Sequence, residues 1–218
     1  MALTYTTLQT RVATALWDAS SALFTSTYIQ DGIKSALDHY SKRRPLQAIT
    51  TLTAVDAREQ STASITGLID IVQVWSPYTA ASPEDPPLIR PFQYWQDSKI
   101  LYFEYPYRPG AGDICRIFYQ KLHTINGLNS ETVTTIPLDD ESPFVLGCAG
   151  YAVQYRARAT TEEVVIDSQV PVSAQLMKWS QAKIKEMDDA ISTTLDRESG
   201  LGVVIIPPLD RYEMGRWS

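Results

Sequence analysis

Pro45 separates two kinds of sequence, and that division constrains the fold more than any other feature. Before it, apolar residues recur at helical spacing. Leu8, Val12 and Leu16 share one face of a helix predicted over Thr4–Asp18. The stretch "SSALFTSTY" interrupts the pattern. Ser26 or Thr27 is then placed to cap a second helix with Ile29, Ile33, Ala36, Leu37 and Tyr40 on one face. It closes in "KRRP": cations suit the negative end of the helix dipole, and Pro45 cannot continue the helix. The two form an expected helical hairpin.

From Ile49 to His123 the period changes to that of strands. "ITTLTAV", "STASITGL" and "DIVQVW" are rich in β-branched residues and separated by turn-prone positions. Five prolines between Ser76 and Pro91 predict a loop at a sheet edge, because proline has no N–H to give to a ladder. Next come two aromatic strands turning at Asp97-Ser98, then a wider turn over Pro109-Gly110 and Gly112, then "ICRIFYQKLH". "RPGAGD" lacks a following Lys-Ser/Thr and a helix, so it does not read as a phosphate loop.

Helical spacing returns after the Thr-rich "SETVTTIP". Asp139, Asp140 and Glu141 stand where a helix start favours negative charge, with Ser142 as a cap and Pro143 in the first turn. Gly147, Ala149, Gly150 and Ala152 predict close packing against a neighbour. A last helix over Val172–Arg197 aligns Met177, Ile184, Met187, Ile191 and Leu195.

The remainder, "ESGLGVVIIPPLDRYEMGRWS", is unlike the rest. "VVII" favours strand pairing, either with a neighbouring subunit or folded back, and Pro207-Pro208 favours an extended course. Ser199–Ser218 would span about 65 Å if fully extended. Val204, Ile206, Leu209, Arg211, Tyr212, Met214, Arg216 and Trp217 combine apolar, aromatic and guanidinium groups of the kind that dominate interfaces, and are the expected contact residues.

Chemistry-bearing residues are few. The two cysteines, Cys115 and Cys148, read as reduced, buried thiols rather than a disulfide framework. Cys148 lies in "LGCAGY", where Leu146 replaces the first glycine of a nucleophile elbow. His123 is placed to satisfy loop carbonyls, and His39 lies on a helix among charges. The two are far apart without a metal-ligand motif. Three adjacent acids point in different directions, unlike a catalytic carboxylate pair. Tyr94, Trp95, Tyr102, Phe103, Tyr105 and Tyr107 read as cross-strand pairs, with a sugar- or base-stacking platform as the alternative. No enzyme, metal or cofactor is expected. No apolar run is long enough to span a membrane, and the amino terminus does not read as a signal peptide. A net charge of −6 opposes gripping nucleic acid by its phosphates, yet suits a wall past which DNA slides.

Two stretches carry a resemblance. One is "YIQDGIKSALDHYSKRRPL" in the amino-terminal hairpin. The stronger runs from Gly112 to Tyr151, where a strand and loop ("GD", then "YQKLHTINGL") lead through "TTIP" to acids and "LGCAGYA". This order resembles head–tail connector (adaptor) proteins of tailed double-stranded DNA phages, with "PLDRYEMGRW" closing the chain. The resemblance implies a non-enzymatic virion protein at the head–tail interface, made in the host cytoplasm. It implies self-assembly into a dodecameric ring beneath the portal protein, which extends the channel for double-stranded DNA and docks a stopper or tail-completion protein.

The expected fold is therefore α+β. A four-helix bundle is built from residues 1–46 and 137–198, a mostly antiparallel β-domain is inserted at 47–136, and 199–218 form an extended tail. The rival functions are a stopper or tail-completion protein and a virion-decorating carbohydrate-binding module. A hydrolase built on His123 and Cys148 ranks third.

Overall fold

The computed structural model describes residues 3–18, 20, 22–80, 88–161 and 172–200. The fold is α+β, and the described residues form four helices and two antiparallel sheets of three strands each.

Helix α1 (Tyr5–Ala15) starts with a reciprocal cap: the Thr7 amide donates to Thr4 Oγ1 at 3.2 Å, and the Thr4 amide to Thr7 Oγ1 at 2.8 Å. Helix α2 (Ser26–Arg43) follows, its N-cap being Thr25 rather than the expected Ser26 or Thr27. Helix α3 (Glu141–Thr161) grows directly out of a 3-10 turn at Leu138–Asp140. Ser142 therefore lies inside the helix instead of capping it, while Pro143 sits in the first turn as expected. Helix α4 (Val172–Gly200) completes the set.

The expected hairpin barely exists as a pair. α1 and α2 meet only slightly, and α3 lies against α1, α2 and α4. The small residues explain why α3 is the shared partner. A Cβ on Gly32 of α2 would stand 2.7 Å from Ala152 N and 2.8 Å from Cys148 O, so the backbones of α2 and α3 are in direct contact. On the α4 side, Gly150 lies under Ser180 and Ile184, and Gly147 under Met187. Leu8, Val12, Ile33, Ala36, Tyr40, Phe144, Met187 and Ile191 fill the helical core.

Strands β1 (Leu46–Thr53), β3 (Leu68–Trp75) and β6 (Ile114–Lys121) form one sheet in the order β1-β6-β3. β1 runs in unbroken register against β6, from Leu46↔Lys121 to Thr53↔Ile114, whereas β3 slips past β6 at two irregularities. Strands β2 (Glu59–Ser61), β4 (Phe92–Trp95) and β5 (Ile100–Phe103) form the second sheet, ordered β2-β5-β4. "STASITGL" is thus mostly not strand. Only its ends, Ser61 in β2 and Leu68 in β3, belong to strands, because Ile65 N–H turns back to Thr62 O and Gly67 takes the left-handed conformation (φ +69). The sheets share a core in which Ile71, Val74, Cys115 and Ile117 meet Leu101 and Phe103.

The loop after β6 belongs with the helices. Ile125, Leu128 and Ile136 are buried in the helical core. Tyr5 N–H donates to Asn126 O at 2.8 Å, tying the start of α1 to that loop.

Candidate interaction surfaces

The segment that carries the connector resemblance, Gly112–Tyr151, comprises β6, the following loop, the 3-10 turn and the first half of α3. Two polar residues fasten it to the end of α2. His123 is 5% exposed; its Nε2 lies 2.8 Å from Arg44 O and its Nδ1 3.0 Å from Thr135 Oγ1. Its amide donates to Ser41 Oγ at 3.0 Å. Burial pushes the imidazole pKa below its ordinary value, so the neutral ring is the form the fold selects. Both ring nitrogens are engaged by the fold, which leaves neither for activating a thiol. This is the carbonyl-satisfying role expected of His123.

Asp140 is the second fastener, and its role goes beyond the expected one of favouring a helix start. It is 2% exposed and accepts hydrogen bonds from Tyr40 Oη at 2.5 Å, Thr194 Oγ1 at 3.3 Å and Arg44 Nη1. One carboxylate thus links α2, α4 and the entry to α3. Burial, then the neighbouring Asp140 carboxylate, raises the Tyr40 pKa far above its ordinary range, so the phenol stays a donor. Nothing in the triplet "DDE" distinguishes this buried acid from its exposed neighbour Asp139.

His39 is likewise bound into the helices, with Nδ1 2.5 Å from Tyr151 Oη and Nε2 3.1 Å from Asp188 Oδ1. Cys115 and Cys148 are buried free thiols, and complete burial raises the Cys148 pKa. Among the described residues no cluster of His, Cys, Asp or Glu is arranged to hold a metal ion, and no helix is long and apolar enough to cross a membrane.

The more informative features are apolar and exposed. The aromatic row of β4 and β5 divides by strand alternation. Phe103 is buried and meets Tyr107 edge-on, whereas Trp95 and Tyr102 stack on the outer face with centroids 5.5 Å apart. Tyr105 is exposed, with the Arg58 guanidinium 5.2 Å from its ring centre. On the outer face of the other sheet, Phe118 stands opposite Ile49 and 4.7 Å from the Trp75 ring, and Arg116 lies over Trp75, Tyr78 and Phe118. Ile49 and Val72 are each more than half exposed there, at 53% and 55%.

A third surface lies where the α1–α2 link meets the start of α4. Trp17 is 96% exposed and holds φ at +56, a conformation disfavoured for a bulky side chain. The link is fixed by Asp18, whose carboxylate accepts the amides of Phe24 (2.6 Å), Leu23 (2.7 Å) and Ala22 (3.0 Å). Those donors, the Phe24 amide foremost, lower the Asp18 pKa. Beside Trp17 runs a groove of about 380 Å³ lined mainly by apolar residues, among them Leu16, Phe24, Val153, Leu176 and Trp179. Sequence reasoning passed over Trp17 and Trp179. The available signal was Trp17 itself, a large aromatic just past the last periodic residue of α1. The expected tail contacts, Val204, Ile206, Leu209, Arg211, Tyr212, Met214, Arg216 and Trp217, lie outside the described residues.

No family model and no curated protein matches this chain. Among solved structures it is similar to a chain in the neck of an empty GTA particle computed with C6 symmetry, at 15% identity over 68% of this chain and 74% of that one. It is similar also to a chain in the neck of a native GTA particle computed with C12 symmetry, at 13% identity over 78% and 89%. The TM-score is 0.28 in both cases, which does not establish a shared fold.

Proposed function

We propose that the chain is a structural subunit of a tailed-phage neck. In this reading it is a head–tail adaptor that forms a ring below the portal, extends the DNA channel, and presents a docking surface to a stopper or tail. The observation that carries the reading is the place of Gly112–Tyr151 in the fold. The stretch on which the connector resemblance rests is one of the two passages of chain between the cores, the other being the step from α2 into β1. It supplies the central strand of one sheet, buries Ile125, Leu128 and Ile136 among the helices, and continues into the helix that contacts the other three.

Three further features support it. Apolar side chains are exposed both at the sheet face around Ile49 and Trp75 and beside Trp17, more than one partner-free surface requires. A ring subunit needs several such faces, for its two neighbours and for the components above and below. The net charge of −6 gives a channel wall that repels the duplex. A sugar-binding reading draws less support. Of the exposed aromatics, Trp95 and Tyr102 stack on each other and Tyr105 faces Arg58.

Native mass spectrometry of the chain with and without the portal of the same particle tests the proposal. A chain that adds to the portal as a symmetric set of copies is the expected result. Deletion of Leu201–Ser218 is expected to leave circular dichroism unchanged and abolish the addition. A full chain that ignores the portal removes the adaptor reading.

A further inference from the structure

We propose that the groove beside Trp17 receives the segment Val203–Pro208 of a second copy of the chain. The inference rests on the ring-forming reading only for the biological setting of that contact. Its geometry comes from the groove, from α4, and from where the described chain ends.

The groove is built to be filled. Its wall is uncharged, with Gln175 its polar member among the described residues, and Trp17 stands almost wholly in solvent at one side. The Asp18 carboxylate holds three successive amides of the link, and the Trp17 backbone is kept in the left-handed region, which is unfavourable for tryptophan. Holding an indole in water on a fixed frame brings a lone chain no benefit, whereas it prepares a rigid aromatic face for an apolar partner.

The longest uncharged apolar run outside the described residues matches the groove; the shorter "VVI" at 164–166 is flanked by Glu162, Glu163 and Asp167. "VVIIPP" is uncharged, like the described residues that line the groove, whereas the tip beyond it carries Asp210, Arg211, Glu213 and Arg216; the Arg156 guanidinium lies 4.9 Å from the centre of the Phe24 ring. A diproline favours the extended polyproline conformation, which docks into aromatic-lined grooves with little further loss of entropy.

Reach decides that the occupant comes from another copy. Trp179 helps line the groove near the start of α4, and the helix continues to Gly200. Twenty-one helical residues separate them by about 31 Å. Pro208, the far end of the segment, is eight residues past Gly200 and extends about 29 Å at most, still short of that distance. The segment therefore cannot fold back to its own groove. Groove and tail root also lie at opposite ends of α4, so the contact joins unlike surfaces of two copies. Such a head-to-tail contact can propagate around a ring.

The test uses the full chain with the photoreactive residue p-benzoylphenylalanine at position 206, prepared in ordinary and in nitrogen-15 form and mixed in equal parts. Irradiation should give mixed-isotope adducts mapping to residues 15–24 or 175–179 of the other copy. Trp17→Ala, at a site too exposed to support the fold, should lower their yield about tenfold, corresponding to about 1.4 kcal/mol of lost affinity. Val204→Asp, on the tail side, should do the same. Adducts confined to one chain, adducts elsewhere, or none at the groove would overturn the proposal. Portal addition is read separately on the same sample. Addition without groove adducts rejects the groove and keeps the adaptor; groove adducts without addition do the reverse.

Discussion

The helical and β parts of this chain reach similar burial by different means. In the helices, contact is made backbone to backbone at Gly32, and a buried carboxylate at Asp140 gathers donors from α2 and α4. In the β part, two small sheets are held by a layer of apolar side chains between them, and the outer faces keep aromatic and aliphatic groups in solvent. The first kind of packing tolerates little displacement, because a backbone atom or a buried charge has nowhere to go. The second tolerates more, because side chains can adjust. The part that joins the two is built in the rigid manner, which suits a subunit whose exposed faces must stay in fixed relation.

Removing the buried acid should break the helical part most severely. Asp140→Ala removes the buried carboxylate that Arg44, Tyr40 and Thr194 share, and is expected to cost about 3–5 kcal/mol by urea unfolding. A loss below about 1 kcal/mol would show that the three donors find water instead.

Next in size, Gly32→Ala sharpens the distinction between backbone and side-chain contact. The new methyl gains about 1 kcal/mol of helix propensity, yet its Cβ meets Ala152 and Cys148 backbone, and overpacking should cost about 1–3 kcal/mol. Gly147→Ala faces the Met187 side chain, with Sδ 2.1 Å from the ideal Cβ position, and a flexible thioether can move. Gly147→Ala should therefore be the milder of the two, and the reverse order would locate the rigid contact at α4 rather than α2.

The smallest effect is expected in the β part. Trp95→Ala removes a stacked pair on an outer face and should cost about 0.5–1 kcal/mol in the same assay. A value matching Gly32→Ala would mean that the outer aromatics hold the sheets together, and the contrast between the regions would fall.

Much of this architecture was legible in order of period and punctuation. Pro45 ends the helical spacing, the β-branched runs give most of the strands, and the small residues of α3 announce a close neighbour. The reading failed where local signals were equivocal. The Ser-Thr run "STASITG" has strand-like composition, but its hydroxyls and glycine make turns instead. The loop after His123 falls within the expected β-domain, 47–136, yet Ile125, Leu128 and Ile136 are buried in the helical core.

The sequence alone determined which segments are helical, which form most of the strands, and where charge and apolar groups lie along them, because hydrophobic period is a local property. Tertiary structure decided the partners: that α1 and α2 meet α3 more than each other, that Asp140 rather than Asp139 is buried, and that Trp17 is held in solvent beside Trp179. Those outcomes depend on which backbones can approach closely and which charges then find donors. Such contacts join residues far apart in the chain, Tyr40 and Asp140 being 100 positions apart, beyond the reach of any local pattern.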